Sequence, residues 1–406
     1  MDGRRYQNSH PWISFELNLK RVSHLFWLLL GEAQSKCLHI AGVPLPDSVY
    51  EQLHKSYLAK GVLATTSIEG NTLTEKEVLD QLEGKLNLPP SKEYMRQEVQ
   101  NILDACNEIG QMLEEASDKD ITIELILRFN YLVLKGLSVD SDVKPGVIRD
   151  YSVGVGNYRA APAEDCEYLL HRLVDWLNEF NLVKLPKIVN ALLKAVLAHL
   201  YIAWIHPFGD GNGRTARLLE FYILFAAGVP TPVTHLLSNH YNQTRSQYYR
   251  MLNEARQNPL SFLEYATEGF IDGLKEQLKI IRDFQWDLTW RDHVNDVFEG
   301  KERPSDLRRL HLLLDLANYK KFVPLADVTQ ISPRAAVDYN RVTAKTLSRD
   351  LAYLTDLGLI EIKKEHVRAR REIVLRFLPL GNKDDIDDEF VPLIVDRFPL
   401  DIPHSL

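Results

Sequence analysis

The sequence predicts a mainly α-helical protein with a small β-hairpin and a separate C-terminal unit. Apolar residues recur with the helical period from about residue 45 to residue 285, and alternating strand patterns are scarce there. The exception is 143–162, rich in glycine, valine and tyrosine, which predicts a β-hairpin or an extended flap. A chain of 406 residues also exceeds what one hydrophobic core usually serves, so two or three domains are expected.

Changes of pattern divide the chain further. A helix ending at Leu357-Gly358, followed by a short strand, a charged turn and a second strand, is typical of a winged helix-turn-helix. Upstream of it, polar residues and a proline around 299–306 indicate a linker. The expected segments are an N-terminal helical region at 1–90, a helical core at 91–285, the linker at 286–304, a winged helix-like domain at 305–380 and an acidic tail at 381–406.

Composition narrows the function classes. A formal net charge of -8 argues against attraction of the whole protein to nucleic acid or membrane. Cys37, Cys106 and Cys166 are far apart and odd in number, so neither a disulfide framework nor a zinc site is expected, and a reducing cytoplasm fits. The apolar run at 25–30 is too short to span a bilayer, so we expect it in a buried helix and predict no membrane association.

Residues 206–214, HPFGDGNGR, place three glycines among polar side chains. A plain turn needs one or two glycines, because only those positions require positive φ. From the glycines alone, a helix-linking turn remains an open interpretation. The loop also joins the end of one predicted helix to the start of the next, where unpaired N–H groups and glycine amides can form a phosphate-sized nest. The pattern therefore indicates an anion-binding loop.

The side chains of this loop indicate transfer chemistry. Arg214 and Arg217 lie three apart on one helix face, where cations oppose the helix dipole unless an anion sits among them. Asp210 is a hard oxygen ligand suited to Mg²⁺ beside phosphates, and Asn212 can donate its amide to an oxyanion. His206 is suited to take a proton near pH 7. Together these groups favour nucleotidyl or phosphoryl transfer.

The segment HPFGDGNGRTAR at 206–217 resembles the HxFx(D/E)GNGRxxR signature of the Fic family, enzymes that transfer AMP from ATP to protein hydroxyls. The resemblance extends over roughly 45–380 and implies a Fic core, or Fido fold, within 91–285. It implies an AMP-transferring enzyme that uses ATP and Mg²⁺, with a Tyr, Thr or Ser hydroxyl of a protein target, or of the chain itself, as the acceptor.

The resemblance assigns roles by position in the motif. His206 resembles the general base and Asp210 the Mg²⁺ ligand, and Phe208 anchors the loop in the core. Relatives that phosphorylate carry lysine where this chain has Gly213, so the glycine favours AMP transfer. The remaining positions would bind the phosphates, with an anion hole formed by Gly211, Asn212 and Gly213 and two arginines, Arg214 and Arg217, for the β- and γ-phosphates.

Two other segments resemble parts of a Fic nucleotide site. The flap would pair with an extended segment of the target by strand addition. At 238–252, Tyr248 and Tyr249 would close over the adenine, with ordinary core packing as the alternative, and Thr244-Arg245 departs from the asparagine-arginine pair usual in the family. The flap residues expected nearest the nucleotide are Val155, Gly156, Asn157 and Tyr158.

The stretch TTSIEGN at 65–71 fits the inhibitory signature (S/T)xxxE(G/N) of the Fic family. Thr65 and Glu69 are one helical turn apart on one face, and Gly70 would end that helix. The resemblance implies an inhibitory helix upstream of the core, with Glu69 paired to Arg217. The alternative is a solvated Glu69 before a helix break.

Two expectations nearby concern ordinary structure. Asn71 and Thr72, with Glu75 three positions after Thr72, predict a capping box at the next helix. His199, seven residues before His206, is expected to be an ordinary core or surface residue.

The charge of the C-terminal unit suggests alternative functions. Nine Lys or Arg residues between Arg341 and Phe377 face five acidic residues, a net +4, and the basic strand–turn–strand segment could contact DNA phosphates. The rival hypothesis is therefore a DNA-binding regulator, through 341–377, whose Fic core senses a nucleotide. The same unit could instead dock another protein or form a homodimer. Removal of AMP, with Glu69 orienting the water, is a further open alternative. Within the unit, we expect Arg349 to pair with Asp350.

Overall fold

The structure is a computed structural model. The predicted acidic tail at 381–406 lies outside the residues that it describes. Those residues are 4–115, 119–156, 158–182, 184–319, 321–340 and 342–375.

Helices make up about 68% of the chain, which confirms the mainly α fold class. The chain divides into two compact units, Met1–Glu276 and Gln277–Leu406. The hairpin expected within 143–162 is present as two antiparallel strands, β1 (Gly154–Val155) and β2 (Tyr158–Arg159). The helices of the first unit are α1 (Arg5–Ser9), α2 (His24–Ala41), α3 (Asp47–Ile68), α4 (Glu75–Leu82), α5 (Glu93–Glu115), α6 (Ile123–Leu134), α7 (Ala163–Glu179), α8 (Lys187–Ile205), α9 (Asn212–Ala226), α10 (Leu236–Gln243), α11 (Arg245–Glu254) and the first part of α12 (Pro259–Phe298).

Helix α8 forms the centre of the first unit. It is long and apolar enough to cross a membrane, with a mean hydropathy of 1.8, but 83% of that window is buried within the protein. Its apolar residues pack on the neighbouring helices α9, α7 and α2. A helix that is apolar on all sides is expected in the core of a protein of this size.

The apolar run at 25–30 differs from its prediction. It is helical, as the start of α2, but only part of it is buried. Phe26 and Leu30 are buried, while Leu25 and Leu28 are 58% and 70% exposed. Consecutive residues of a helix point in different directions, so an unbroken apolar run cannot place all its side chains on one buried face.

The junction between α3 and α4 also differs from its prediction. Helix α3 ends at Ile68, and Gly70 lies just beyond its cap with φ +102°. The N–H groups of Gly70 and Asn71 bond back to the Ser67 and Thr66 carbonyls in a Schellman motif. The capping box predicted at Thr72 and Glu75 is wrong by two residues. The cap of α4 is Thr74, which exchanges hydrogen bonds with Glu77. The side chain of Asn71 instead accepts a hydrogen bond from the Leu73 N–H, which keeps the chain out of the helix until Thr74.

The second unit contains the helix–helix–strand–turn–strand order expected from the sequence. Its three strands form one antiparallel sheet in the order β3-β5-β4, with Ile362 opposite Val367. Its core includes Leu312, Leu316 and Leu354. Its elements are the rest of α12, α13 (Pro304–Leu316), β3 (Val323–Pro324), α14 (Pro333–Asn340), α15 (Ala344–Asp356), β4 (Ile360–Lys363) and β5 (His366–Ala369).

The linker predicted at 286–304 is mostly helical, because α12 continues to Phe298. Trp290, Val294 and Phe298 recur every four residues and are buried in the core of the second unit. That apolar stripe keeps the segment helical, and only 299–303 separate α12 from α13.

The pairing predicted between Arg349 and Asp350 is also absent from the described residues. Asp350 is 1% exposed, and its carboxylate accepts hydrogen bonds from Arg308 at 2.8 Å and Arg309 at 2.7 Å, both on α13. The hydroxyl of Tyr339 donates to the same carboxylate at 3.2 Å. Adjacent residues of a helix do not face each other, so Asp350 turns inward while Arg349 is exposed.

We expect Asp350→Ala to lower the opening free energy of the second unit by about 3 kcal/mol, because removing one partner of a buried ion pair leaves its cations uncompensated. Amide hydrogen exchange of 344–369 in the full-length chain measures this value for the unit separately. Asp356→Ala is the matched control, since Asp356 is an exposed residue of the same helix. Equal exchange in the two variants would contradict the assignment.

Candidate functional site

The loop between α8 and α9 has two residues with left-handed backbone. His206 ends α8 with φ +51°, and its N–H still bonds to the Ile202 carbonyl at 2.8 Å. Gly211 has φ +77° and precedes the first residue of α9. The first N–H groups of α9 have no intrahelical acceptor, as at any helix N-terminus, so they are available to an anion.

Asn212 closes the loop on itself. Its side-chain oxygen accepts the Phe208 N–H at 3.0 Å, and its amide nitrogen donates to the Phe208 carbonyl at 2.8 Å. Both residues are buried, as expected for Phe208. One of the two N–H groups of the Asn212 side-chain amide is therefore used within the loop, and the expected donation to an oxyanion stays a prediction for the other.

Two buried residues that were not predicted from the sequence donate hydrogen bonds to the backbone of the loop. The side chain of Arg149 donates to the His206 carbonyl at 2.8 Å. Asn130 donates to the Asp210 carbonyl at 2.9 Å and accepts the Gly146 N–H at 2.9 Å. A polar residue within the apolar run of α6 was the available signal for Asn130.

Arg217 is buried against the end of α3. Its Nε donates to the Thr65 hydroxyl at 2.8 Å, and its Nη2 donates to the Thr65 carbonyl at 3.1 Å and to Glu69 Oε1 at 2.5 Å. The contact predicted between Glu69 and Arg217 is thus present. Burial alone would raise the pKa of Glu69, but the attraction of Arg217, together with Arg214 and Arg245, holds it below its ordinary value.

Gly213 lies directly beside this ion pair. A Cβ atom at Gly213 would be 2.6 Å from Glu69 Oε1 and 3.1 Å from Arg217 Nη1. Any side chain at this position would have to displace the Glu69 carboxylate. The inhibitory segment and the glycine loop therefore share one small volume.

Arg214 is held by two carboxylates. Its guanidinium bonds to Glu98 at 3.1 Å and to Asp210 at 3.4 Å. Glu98 also accepts a hydrogen bond from Asn71 at 2.9 Å, which ties Arg214 to the residue that follows Gly70. The role of Glu98 was not predicted from the sequence, because this residue lies more than a hundred residues before its partner Arg214.

Both arginines keep buried N–H groups without an acceptor. Within the described residues, neither Nη1 of Arg217 nor Nε of Arg214 makes a hydrogen bond. Buried donors are nearly always satisfied, and these two lie near the start of α9, where a bound anion would be a suitable acceptor. No group of three or more His, Cys, Asp or Glu side chains among the described residues could hold a metal ion. A cation at Asp210, which is 49% exposed, would need ligands from a bound anion.

His206 is suited to act as a base. Burial lowers its pKa to about 4, and the neighbouring Arg149 acts in the same direction, while a hydrogen bond to the Ala203 backbone opposes both. The imidazole is therefore neutral at pH 7 and can accept a proton.

The flap residues fall into two groups. Val155 is 48% exposed, and Gly156 is exposed with φ +54°. Asn157 lies outside the described residues. The hydroxyl of Tyr158 donates to the Trp204 carbonyl at 2.6 Å, so this side chain fastens the flap to α8.

The two tyrosines expected at the adenine differ in their exposure to solvent. Tyr249 is 44% exposed, whereas Tyr248 is 3% exposed and shares a 2.8 Å hydrogen bond with His199. His199 is fully buried and lies 3.1 Å from Glu220, so it is a core residue. Tyr248 therefore fits the core-packing alternative, and Tyr249 is the tyrosine with an accessible ring.

Arg245 is a further residue whose position the sequence did not predict. Its guanidinium donates to the Ser67 carbonyl at 3.3 Å and to the Ile68 carbonyl. Cations are favourable at the carbonyl end of a helix, so Arg245 stabilises the end of α3 beside Glu69.

A helix-bounded glycine loop with a neutral base, a half-exposed carboxylate and two buried arginines defines a site for a phosphorylated ligand. Residues 120–224 match the family model of the Fic/DOC family. The chain therefore contains a Fic/DOC-family domain, and the glycine loop lies within it.

Curated relatives support this assignment. The chain is 29% identical over 258 residues to a protein adenylyltransferase Fic of Nematostella vectensis, across 63% of this chain and 57% of that protein. It is 31% identical over 208 residues to protein adenylyltransferase fic-1 of Caenorhabditis elegans, across 51% of this chain and 38% of that protein. The chain thus spans roughly half the length of these relatives or less.

Solved structures extend the likeness to the fold. Fic-1 from Caenorhabditis elegans superposes with a TM-score of 0.54 at 26% identity, covering 64% of this chain and 73% of that chain. A Fic family protein from Desulfovibrio desulfuricans G20 gives a TM-score of 0.51 at 19% identity, covering 87% of this chain and 98% of that chain. The second likeness concerns the fold alone.

We expect Asn130→Ala to lower the free energy of unfolding by about 1–3 kcal/mol, because the Gly146 N–H and the Asp210 carbonyl lose their partner. Urea denaturation of the full chain measures the change. Asn107→Ala on the exposed face of α5 is the control and should be neutral. If both variants unfold at the same urea concentration, Asn130 does not support the loop.

Proposed function

We propose that this chain is a protein adenylyltransferase that transfers AMP from ATP to a Tyr, Thr or Ser hydroxyl of a protein target or of itself. The observation that carries the proposal is the pair of unpaired, buried guanidinium N–H groups beside the N-terminus of α9. They fit the terminal phosphates of a nucleotide. The curated relatives named protein adenylyltransferase support the same chemistry.

The groups of the site would act together in this transfer. His206 takes the proton of the acceptor hydroxyl, and the resulting oxygen attacks the α-phosphorus of ATP. The bond between the α-phosphorus and the bridging oxygen breaks, AMP becomes esterified to the acceptor, and pyrophosphate leaves. The backbone N–H groups of Asn212 and Gly213 stabilise the negative charge on the phosphate oxygens, and that of Gly211 joins them once its 2.5 Å hydrogen bond to Asp210 Oδ1 opens. Arg214 and Arg217 hold the β- and γ-phosphates, and exposed Tyr249 is the candidate for adenine contact.

Asp210 would hold Mg²⁺ together with phosphate oxygens. One half-exposed carboxylate fits the ion, which usually takes one or two carboxylates and keeps waters or phosphates as its other ligands. The ion would neutralise phosphate charge. Arg214 contacts Oδ1 of the same carboxylate, so the ion would bind through Oδ2.

Glu69 inhibits the enzyme by occupying Arg217. Its carboxylate contacts the guanidinium that the γ-phosphate requires, and it borders Gly213, past which the phosphates must lie. A nucleotide that binds beside Glu69 has a displaced γ-phosphate and a misaligned α-phosphate. Inhibition of this kind reduces transfer more than it reduces occupancy.

The second unit fits a winged helix, and its charges argue against the DNA-binding alternative. Of the basic residues counted earlier, those at 341 and 376 lie outside the described residues. Four of the remaining basic residues form ion pairs with the carboxylates of Glu361, Glu372 or Asp287. These four are Lys363, Arg368, Arg370 and Arg371. The exposed basic residues that remain are Lys345, Arg349 and Lys364. We therefore infer that the unit docks a protein, because few of its described basic residues between 342 and 375 are left for phosphates.

Glu69→Gly tests the function and its inhibition together. The variant loses the charge that competes for Arg217, so AMP transfer should rise ~10-fold or more. Intact-mass measurement of AMP adducts on the chain, and on a lysate supplied with ATP, gives the readout. Adding His206→Ala to Glu69→Gly should abolish the adducts while ATP binding persists.

Glu83→Gly is the matched control for this experiment. Glu83 caps the end of α4 and precedes Gly84, as Glu69 does at α3, but its partner is the surface residue Lys85. We expect no gain from Glu83→Gly. Labelling of Glu69→Gly at or below the wild-type level would refute inhibition, and absence of AMP adducts from every variant and lysate would refute the function.

The low pKa of His206 makes a separate prediction. Since the imidazole must be neutral, and since Glu69 acts to raise its pKa of about 4, kcat/KM for ATP in the Glu69→Gly variant should fall on the acid side only near pH 4 or below, not near the ordinary histidine value of 6.5. Rates measured between pH 4 and 8, with circular dichroism to confirm folding, give the profile. An acid limb centred at pH 6.5 would contradict a base whose pKa is held well below the ordinary histidine value.

A further inference from the structure

Arg149 is a buried cation whose hydrogen bonds run to backbone carbonyls. The residue is 4% exposed. Its Nε donates to the His206 carbonyl at 2.8 Å, and its own N–H donates to the Pro207 carbonyl at 3.0 Å. Its Nη1 donates to the Tyr151 carbonyl at 2.6 Å, and its Nη2 donates to the Ala161 carbonyl at 2.6 Å.

These acceptors belong to two different parts of the site. His206 and Pro207 are in the glycine loop, whereas Tyr151 and Ala161 stand on either side of the hairpin formed by β1 and β2. One rigid guanidinium therefore sets the distance between the loop and both ends of the flap. Lysine could not do this, because its single ammonium lacks the planar fork of donors.

The loop also needs an external support at this point. His206 is a non-glycine residue with φ +51°, a conformation that costs about 1–2 kcal/mol and persists only where the surroundings impose it. The bond from Arg149 to the His206 carbonyl is one such restraint. Close packing is another, since a Cβ at Gly209 would lie 2.1 Å from the Tyr151 hydroxyl.

We propose that Arg149 is a positioning residue for AMP transfer, which holds the base His206 at the correct distance from the acceptor hydroxyl presented along the flap. The inference rests on the proposed adenylyltransferase function. The groups assigned to the phosphates are held by other partners, since Arg217 contacts Thr65 and Arg214 contacts Glu98. Loss of Arg149 should therefore slow transfer and leave nucleotide binding in place.

The test uses the full chain with Glu69→Gly as the active parent. Adding Arg149→Lys should lower kcat ~10²-fold, the usual effect of misplacing reacting groups, while the Kd for ATP and Mg²⁺ by calorimetry changes less than about threefold. Arg128→Lys is the matched control, since Arg128 makes an ion pair with Glu108 on the surface of the same domain and should change neither value.

A second variant and a second readout separate positioning from folding. In Glu69→Gly with Arg149→Ala, guanidinium ion well below denaturing concentrations should restore part of the transfer rate, and methylammonium should restore less. Arg149→Lys should also speed amide hydrogen exchange in 151–161 and 206–209, a change that does not depend on activity.

Each outcome decides the proposal. Unchanged kcat in the Arg149→Lys variant, equal losses of ATP binding and transfer, or unchanged exchange in both segments would overturn it. If the Glu69→Gly parent transfers no AMP, the proposed function fails, and the hydrogen exchange still decides whether Arg149 joins the loop to the flap.

Discussion

The reversal between α8 and α9 is the constraint on which the site depends. Only 206–211 separate the two helices, so the chain turns back within six residues through left-handed conformations at His206 and Gly211. A turn this tight directs its carbonyls inward, where they need donors. Arg149 supplies them at the His206 end, and Asn130 supplies one at the Asp210 end. The supports of the turn thereby determine where the base and the first amides of α9 lie.

Charge imposes a second constraint at the same place. Two arginines near the start of α9 oppose the helix dipole, and both are buried. Buried cations without counter-charges are strongly destabilising, so the free protein requires internal anions. Glu98 is the counter-ion of Arg214, and Glu69 is the counter-ion of Arg217. A carboxylate that stabilises the empty site necessarily competes with phosphate for the same guanidinium. Inhibition at Arg217 therefore arises from the same electrostatics that make the site an anion-binding one.

The sequence predicted the fold where the signals were local. Helical periodicity and the glycines located α8, α9 and the flap, because each depends on neighbours within a few residues. The linker at 286–304 failed because its polar residues hid the stripe Trp290, Val294 and Phe298, which becomes buried only when the second unit packs around it. The capping box failed for a related reason. Thr72 and Thr74 both precede a glutamate by three, and the bond between Asn71 and Leu73 selects Thr74.

Predictions for the site follow the same division. The ion pair of Glu69 with Arg217 could be predicted because both residues belong to recognisable motifs. Arg149 and Arg245 could not, because their partners are backbone carbonyls, which every residue carries and which leave no trace in the sequence. For Asn130 the sequence offered a polar residue in an apolar helix but not its backbone partners. The hydrogen bonds of the Asn212 side chain could not be predicted for the same reason, since they run to the backbone of Phe208. Where a turn is held by side chains bonded to its main chain, the residues that contact a ligand can be found from their motif. The residues that determine the geometry of those contacts become visible only in the folded chain.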